Sequence, residues 1–178
     1  MSDPSSLAPL ASLAARVAES LRERGQTVGV IEGSAGGLVS AALLAIPGAS
    51  AYFVGGAVIY TRQAGKALIG LTADDVAGMR AETEPYARLV ASRIRDKLGT
   101  TWGLSESGAS GPSGSRYGDL PGQVCIAVVG PTSKTRTIET GLSDRPANMD
   151  LFARQLLALF DEVLQQQLPL PSEQALAR

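Results

Sequence analysis

The stretch VIEGSAGG, Val30–Gly37, decides the fold. An apolar, β-branched run stops at an acid and leads into a turn of small residues with two adjacent glycines. The next segment, LVSAALLA at Leu38–Ala45, has the composition of a helix. A strand, a tight glycine-rich turn and a helix N-terminus in succession are typical of sites that hold anions or position nucleophiles. The turn therefore raises the question of whether it carries a working nucleophile.

Apolar periodicity predicts the elements on either side of this turn. Strands and helices alternate over the first two-thirds of the chain and a β-hairpin follows, which predicts a layered α/β protein with a mixed sheet. No linker divides the chain, so we expect one domain over residues 1–178, with a core at about 6–167 and flexible tails at 1–5 and 168–178. The predicted helices are 6–24, 36–46, 62–69, 84–98 and 147–167, with a short one opening at 72–75; the predicted strands are 27–32, 51–61 (broken at Gly55-Gly56), 101–106, 124–129 and 135–140.

Composition excludes several classes of function. The net charge of −1 argues against a nucleic-acid surface. The chain has no histidine and one cysteine, Cys125, which rules out histidine catalysis, a multi-cysteine zinc site and an intrachain disulfide. No basic leader and no long apolar run is visible, so we expect a soluble cytoplasmic protein without a membrane partner. Nothing indicates a metal or another cofactor.

Two glycine-rich loops each follow a predicted buried strand, at Gly33–Gly37 and Gly108–Gly114. Ligands of open α/β sheets bind outside the carboxyl ends of the strands, so we expect both loops to face one cleft, with Tyr60 on its wall. The backbone N–H groups of Gly36 and Gly37 would there approach a phosphate or carboxylate. The alternative is that these glycines only permit tight turns. Neither a P-loop nor a dinucleotide fingerprint is present.

Four motifs occur in the order typical of one family. They are IEGSAGG at Ile31–Gly37, GAVIYTRQAGK at Gly56–Lys66, SESGASGPSG at Ser105–Gly114 and LPGQV at Leu120–Val124. The set resembles the CinA C-terminal domain family, the nicotinamide-nucleotide amidases. The family patterns are A-E-S-C-T-G-G, G-x-V-x-Y-S-N-E-x-K, S-x-S-G-x-A-G-P-x-G and P-x-G-x-V. The resemblance implies a three-layer α/β/α fold with a mixed sheet and a homo-oligomer.

The resemblance also implies an activity, the hydrolysis of the carboxamide of nicotinamide mononucleotide to nicotinate mononucleotide and ammonia. The implied nucleophile is the serine of E-S-C-T-G-G, and the implied base is the lysine of the second motif. Here those places hold Gly33 and Gly65, while a serine and a lysine follow one position later as Ser34 and Lys66. These two are the candidate catalytic residues. The alternatives are a helix N-cap for Ser34 and a solvated helix position for Lys66.

Two hypotheses about function remain open. The first is weak or lost amidohydrolase activity on a pyridine nucleotide, through a displaced Ser34/Lys66 pair. The second is a catalytically inactive relative that binds a nucleotide-like ligand, such as nicotinamide mononucleotide, or a protein partner. Arg145 either pairs with Asp144 or reaches an anionic ligand, and Arg62 is a second cation candidate. The candidate ligand-binding residues are Gly36, Gly37, Tyr60, Ser107, Gly108, Gly111 and Arg145.

Overall fold

The computed structural model describes residues 7–167, so the predicted tails and residue 6 of the predicted core lie outside the described residues. None of the helices within 7–167 combines the length and apolar character needed to cross a membrane. The helices are α1 (Leu10–Glu23), α2 (Leu38–Leu44), α3 (Arg62–Ile69), α4 (Glu84–Leu98) and α5 (Arg145–Gln165); the strands are β1 (Val28–Glu32), β2 (Phe53–Val58), β3 (Trp102–Gly108), β4 (Gln123–Val129) and β5 (Ser133–Glu139).

The five strands form one mixed sheet in the order β2-β1-β3-β4-β5. Strand β1 lies parallel to both of its neighbours, whereas β3, β4 and β5 pair antiparallel, which confirms the predicted mixed sheet and hairpin. The break predicted at Gly55-Gly56 is a bulge one residue earlier. Val28 pairs with Phe53 and Gly29 pairs with Gly55, so Val54 is the extra residue.

Helices cover both faces of the sheet, which confirms the three layers. Successive residues of β1 point to opposite faces, so Val30 packs in the core formed with α1, α2 and α5. Its neighbour Ile31 packs on the other side, in a cluster with Ile69 of α3 and Val90 of α4. The central strand β1 is buried along its whole length, as its continuous apolar run predicts.

Helix α4 lies unusually close to the sheet at Gly103. A Cβ atom at this position would lie 1.9 Å from the carbonyl oxygen of Ala91. The small side chains of Ala87 and Ala91 permit this approach, and both are buried against β4. Ser105 Oγ donates a hydrogen bond of 2.6 Å to the Ala87 carbonyl oxygen and fixes the helix along β3. This contact positions the N-terminal end of α4, which borders the cavity described below.

Two sequence predictions about helices are wrong in detail. The predicted helix after Thr72 is only a series of turns over 73–78, although Thr72 and Asp75 bond to each other as in a helix N-terminus. Gly78 has φ +73° and ends that segment. Helix α2 begins at Leu38 rather than at Gly36, because Gly36 and Gly37 both have left-handed backbone conformations.

Candidate functional site

A cavity of about 910 Å³ opens at the carboxyl ends of β1 and β3. The turn at Gly33 and Ser34 forms part of its wall, as do residues 107–117, at the end of β3 and in the second glycine-rich loop. Tyr60 and Arg145 stand on the same wall, and the segment 71–82 before α4 completes it. The two glycine-rich loops therefore face one cleft together with Tyr60, at the sheet edge where α/β proteins bind ligands.

Ser34 is held by a buried acid, Glu106 of β3. Ser34 Oγ donates a hydrogen bond to Glu106 Oε1. Glu106 Oε2 accepts the N–H groups of Gly33 at 3.1 Å and Ala35 at 2.7 Å. The Glu106 side chain is 1% exposed. Burial raises the pKa of Glu106, and the three hydrogen bonds only partly oppose that rise. Glu106 thus clamps the turn from inside, a role that the sequence analysis missed.

The N-terminus of α2 is already occupied by an internal anion, Glu32 at the end of β1. Glu32 Oε2 accepts the N–H groups of Gly37 at 2.9 Å and Val39 at 3.0 Å. Glu32 Oε1 accepts the N–H of Ser40 at 2.8 Å and its hydroxyl at 2.6 Å. A carboxylate at this place satisfies the free donors of the first helical turn and complements the helix dipole.

This arrangement corrects two expectations about the turn. Gly36 and Gly37 do not line the cavity, and the N–H of Gly37 is committed to Glu32, so the predicted anion-binding role fails at Gly37. The N-cap residue of α2 is Gly37 and no side chain caps the helix, so Ser34 is not an N-cap either. Of the turn, only Gly33 and Ser34 face the cavity.

Lys66 lies on α3 and lines the same cavity as Ser34. Its side chain is exposed and makes no hydrogen bond or ion pair with residues 7–167. No hydrogen bond links Ser34 Oγ to Lys66 Nζ in the described chain, and the Ser34 hydroxyl donates to Glu106 instead. Gly65, the place of the family lysine, is buried, and a Cβ there would lie 3.2 Å from Leu71 Cδ1. The structure thus brings Ser34 and Lys66 to one cavity without joining them as a dyad.

Arg145, the first residue of α5, is fixed at the mouth of the cavity. Its Nη1 donates to the Gly111 carbonyl oxygen at 2.8 Å, and its Nη2 donates to the Tyr60 hydroxyl at 2.9 Å. Asp144 instead caps α5 by accepting the N–H of Ala147 at 2.8 Å. Arg145 therefore does not pair with Asp144, and among the described residues no carboxylate forms an ion pair with it.

Two more arginines border the cavity around Tyr117. Arg62 Nη2 donates to the Tyr117 hydroxyl at 3.2 Å, and the Arg116 guanidinium lies 5.0 Å from the ring centroid. The hydrogen bond from Arg62, together with Arg116, lowers the pKa of Tyr117. Neither arginine has an ion-pair partner in the part of the chain that is described. We call the four cations Arg62, Lys66, Arg116 and Arg145 the cationic rim.

Three predicted ligand-binding residues at the end of β3 and in the second loop, Ser107, Gly108 and Gly111, also line the cavity, and packing explains the two glycines. A Cβ at Gly108 would lie 2.6 Å from the Gln123 carbonyl oxygen, and one at Gly111 would lie 2.4 Å from the Ser143 carbonyl oxygen. Glycine is thus required at both places by close backbone approach, which favours the structural alternative. Ser107 Oγ accepts the N–H of Glu82 at 3.2 Å. No group of three or more cysteine or acidic side chains within 7–167 converges as metal ligands would.

Glu82 is the second cavity residue that sequence reasoning missed. It is the one residue other than glycine in the described chain with a left-handed backbone, at φ +55°. Its carbonyl oxygen accepts a bond of 3.2 Å from Cys125 Sγ. Its carboxylate is half-buried, and Oε2 has no hydrogen-bond partner among residues 7–167. Burial, and then the charge of Asp119, raise the pKa of Glu82.

This raised pKa predicts that Glu82→Gln increases the free energy of unfolding, by an amount that depends on pH. A carboxyl group whose pKa is higher in the folded state destabilises the fold as pH rises from its ordinary pKa through its folded one. The free energy of unfolding of Glu82→Gln minus that of the wild type should therefore increase with pH above about 4.5 and then level off. Urea denaturation at a series of pH values measures it. A difference that stays flat or falls with pH would contradict the placement of this carboxylate.

Comparisons with known proteins show which family this chain resembles. A model of the family described as CinA C-terminal domain matches residues 10–164. A CinA-like protein from Prochlorococcus marinus (strain MIT 9313) is 42% identical over 120 residues, which are 67% of this chain and 28% of that protein. A CinA-like protein from Myxococcus xanthus (strain DK1622) is 38% identical over 140 residues, 79% of this chain and 33% of that protein. The chain thus spans about a third or less of these relatives.

Solved structures show the same architecture. The crystal structure of a competence-damaged protein (CinA) superfamily protein from Klebsiella pneumoniae superposes with a TM-score of 0.84 at 25% identity, covering 90% of this chain and 100% of that chain. A competence or damage-inducible protein from Enterobacter asburiae shares the fold with a TM-score of 0.82 at 24% identity, covering 88% and 99% of the two chains. With the family match over residues 10–164, this chain belongs to the CinA C-terminal domain family.

Proposed function

We propose that the cavity binds an anionic small molecule of the nucleotide class, with nicotinamide mononucleotide as the first candidate. The observation that carries this proposal is Arg145, whose guanidinium is held by Tyr60 and Gly111 and is not neutralised by a carboxylate within residues 7–167. A fixed guanidinium suits phosphate and carboxylate groups. The volume of about 910 Å³ is sufficient for a mononucleotide.

The aromatic side chains on the wall support the same class of ligand. Tyr60, Tyr86 and Tyr117 all line the cavity, so a heterocyclic ring has faces and edges to pack against. The rest of the cationic rim adds positive charge at the mouth. Positive charge at the mouth of a cleft raises the local concentration of an anionic ligand and its rate of association.

Deamidation of nicotinamide mononucleotide is proposed to be weak or absent. Attack on an amide needs a nucleophile within hydrogen-bond reach of its base, at about 3 Å. The Ser34 hydroxyl bonds to Glu106 rather than to Lys66. The positions that correspond to the family serine and lysine are Gly33 and Gly65, which have no functional group. The nucleophile–base pair that the family resemblance implies is therefore not formed here.

An amidohydrolase with displaced groups is the second candidate function. The observation in its favour is that Ser34 and Lys66 line one cavity. It requires the Lys66 side chain to turn inward and the Ser34 hydroxyl to leave Glu106. Lys66 has no partner in the described chain to hold it outside, whereas the Ser34–Glu106 bond and the desolvation of the Lys66 ammonium oppose this rearrangement.

Replacing Arg145 with alanine tests the proposed function. We expect the affinity for nicotinamide mononucleotide to fall about tenfold or more, because a charge-assisted hydrogen bond to the anion is lost. Isothermal titration calorimetry measures this change. The matched control is Arg88→Ala, an exposed arginine on α4 outside the cavity, and its affinity should equal that of the wild type. Equal binding by Arg145→Ala and the wild type would remove the ground for the proposal.

A further inference from the structure

We infer that the ligand of this cavity carries a hydrogen-bond donor as well as its negative charge, and that Glu82 is the residue that accepts this donor. The inference rests on the proposed function and specifies the ligand further. The negative group would lie at the cationic rim, and the donor, of the kind found in a carboxamide or ring amino group, would lie deeper. Nothing in the CinA resemblance assigns a role to Glu82.

The first observation is the unpartnered carboxylate oxygen of Glu82. This residue lines the cavity, and its Oε2 is buried without a hydrogen bond from residues 7–167. Arg80 and Arg116 are near enough to influence its charge, yet neither forms an ion pair with it; Arg80 pairs with Asp119 at 3.1 Å instead. Glu82 as a whole is only half-buried, and an unpaired carboxylate in such a place is costly, so its position on the cavity wall indicates that a donor arrives from the cavity.

The second observation is a spare hydroxyl on the opposite loop. Ser110 is 2% exposed, lines the same cavity, and its Oγ has no hydrogen-bond partner in the described chain. Its carbonyl oxygen accepts a bond of 2.9 Å from Nδ2 of the buried Asn148, so the loop is fixed at this residue. A hydroxyl both donates and accepts, so Ser110 can serve an amide or amino group of the ligand.

The backbone of Glu82 is fixed before any ligand arrives. Its N–H donates to Ser107 Oγ at 3.2 Å, and its carbonyl oxygen accepts from Cys125 Sγ at 3.2 Å. These two bonds hold it at φ +55°, which is unfavourable for a residue with a side chain. Strained backbone conformations of this kind persist where the surroundings determine them, and they concentrate at binding sites. The Glu82 carboxylate is thus carried by a residue whose backbone is already fixed.

Exposure separates the two polar ends of the cavity. Tyr60, which supports Arg145, is 65% exposed, whereas the unpartnered oxygens of Glu82 and Ser110 are buried. A ligand that satisfies both ends therefore places its anion outward and its donor inward. Within the nucleotide class, this order matches a phosphate at the mouth and a ring that carries an NH₂ group inside. A carboxylate on that ring would instead meet the like charge of Glu82.

The test compares nicotinamide mononucleotide with nicotinate mononucleotide by calorimetry. The two probes share the phosphate and ribose and differ where an NH₂ group is replaced by a carboxylate oxygen. We expect the wild type to bind nicotinamide mononucleotide at least about tenfold more tightly. Glu82→Gln should abolish or reverse this preference, because the glutamine amide can donate to a carboxylate and no longer repels it, while its oxygen can still accept from an NH₂ group. If Glu82 only supported the fold, its replacement would lower the affinity for both nucleotides by the same factor.

Two further variants complete the experiment. Glu139→Gln, an exposed acid on β5 outside the cavity, is the matched control and should keep the wild-type preference. Ser110→Ala should reduce the preference for nicotinamide mononucleotide about threefold or more. This variant tests the inference if Glu82→Gln does not fold. Equal wild-type affinities for the two probes, or an unchanged preference in Glu82→Gln, would overturn the inference and leave the proposed function standing. Failure of the wild type to bind either probe would overturn both.

Discussion

Replacing Gly103 with alanine is expected to lower the free energy of unfolding by more than about 3 kcal/mol. The added Cβ would lie 1.9 Å from the Ala91 carbonyl oxygen and 2.9 Å from Arg95 Cβ. The first of these atoms belongs to the backbone and cannot rotate away. Helix α4 must therefore move off β3, which also breaks the bond of Ser105 to the Ala87 carbonyl oxygen.

Gly55→Ala is the matched control for this change. A Cβ at Gly55 would meet only Leu98 Cδ1, at 3.4 Å, which is close to ordinary contact with a flexible side chain. We expect its stability to stay within about 1 kcal/mol of the wild type. Urea denaturation followed by circular dichroism compares the two variants. If Gly103→Ala unfolds at the same urea concentration as Gly55→Ala, the close approach of α4 is wrong.

Incubation of the purified protein with nicotinamide mononucleotide is expected to release ammonia at a rate several orders of magnitude below that of a serine hydrolase with an intact nucleophile and base. Losing either group in such enzymes lowers kcat by about that much. Here the hydroxyl nearest the family position is bonded to Glu106, and the lysine is exposed. Coupled detection of ammonia measures the rate, and calorimetry on the same sample establishes whether the nucleotide is bound.

Ser34→Ala and Lys66→Ala are the controls for this measurement. Both variants should leave the low rate unchanged, because we expect neither residue to act as nucleophile or base. Rapid ammonia release by the wild type, abolished in either variant, would show that the displaced pair works and that the proposed lack of turnover is wrong. Rapid release that survives both changes would point to Ser107, whose hydroxyl also lines the cavity.

The fold was predictable because local patterns and global packing agree along most of the chain. The run at Val30–Gly37 has β-branched residues, then a turn, then helix formers, and the structure has a strand, a turn and a helix there. The helix predicted after Thr72 failed for a physical reason. Thr72 and Asp75 form the reciprocal bonds of a helix start, yet Gly78 takes a left-handed conformation and no longer helix follows.

The site was predictable only in outline. The position of two loops after buried strands placed them at one sheet edge, and the cavity lies there. The partners of individual side chains depend on distant residues, as Ser34 and Glu106 illustrate. One signal was present in the sequence. Glu106 is a carboxylate inside a strand predicted to be buried, and buried carboxylates require donors. Glu82 gave no such signal, because its backbone conformation results from contacts with Ser107 and Cys125.

The carboxylate of Glu32 satisfies the N-terminus of helix α2 from within the chain. Its two oxygens accept the N–H groups of Gly37, Val39 and Ser40, so these three donors at the start of the helix are not free for a ligand. In the function proposed above, recognition in the adjoining cavity falls instead to side chains carried by α3, α5, the second loop and the segment before α4. Side chains change by single substitutions, whereas a helix terminus changes only with the fold. Single substitutions at the cationic rim should therefore change which ligand the cavity accepts while the framework around β1 stays as it is.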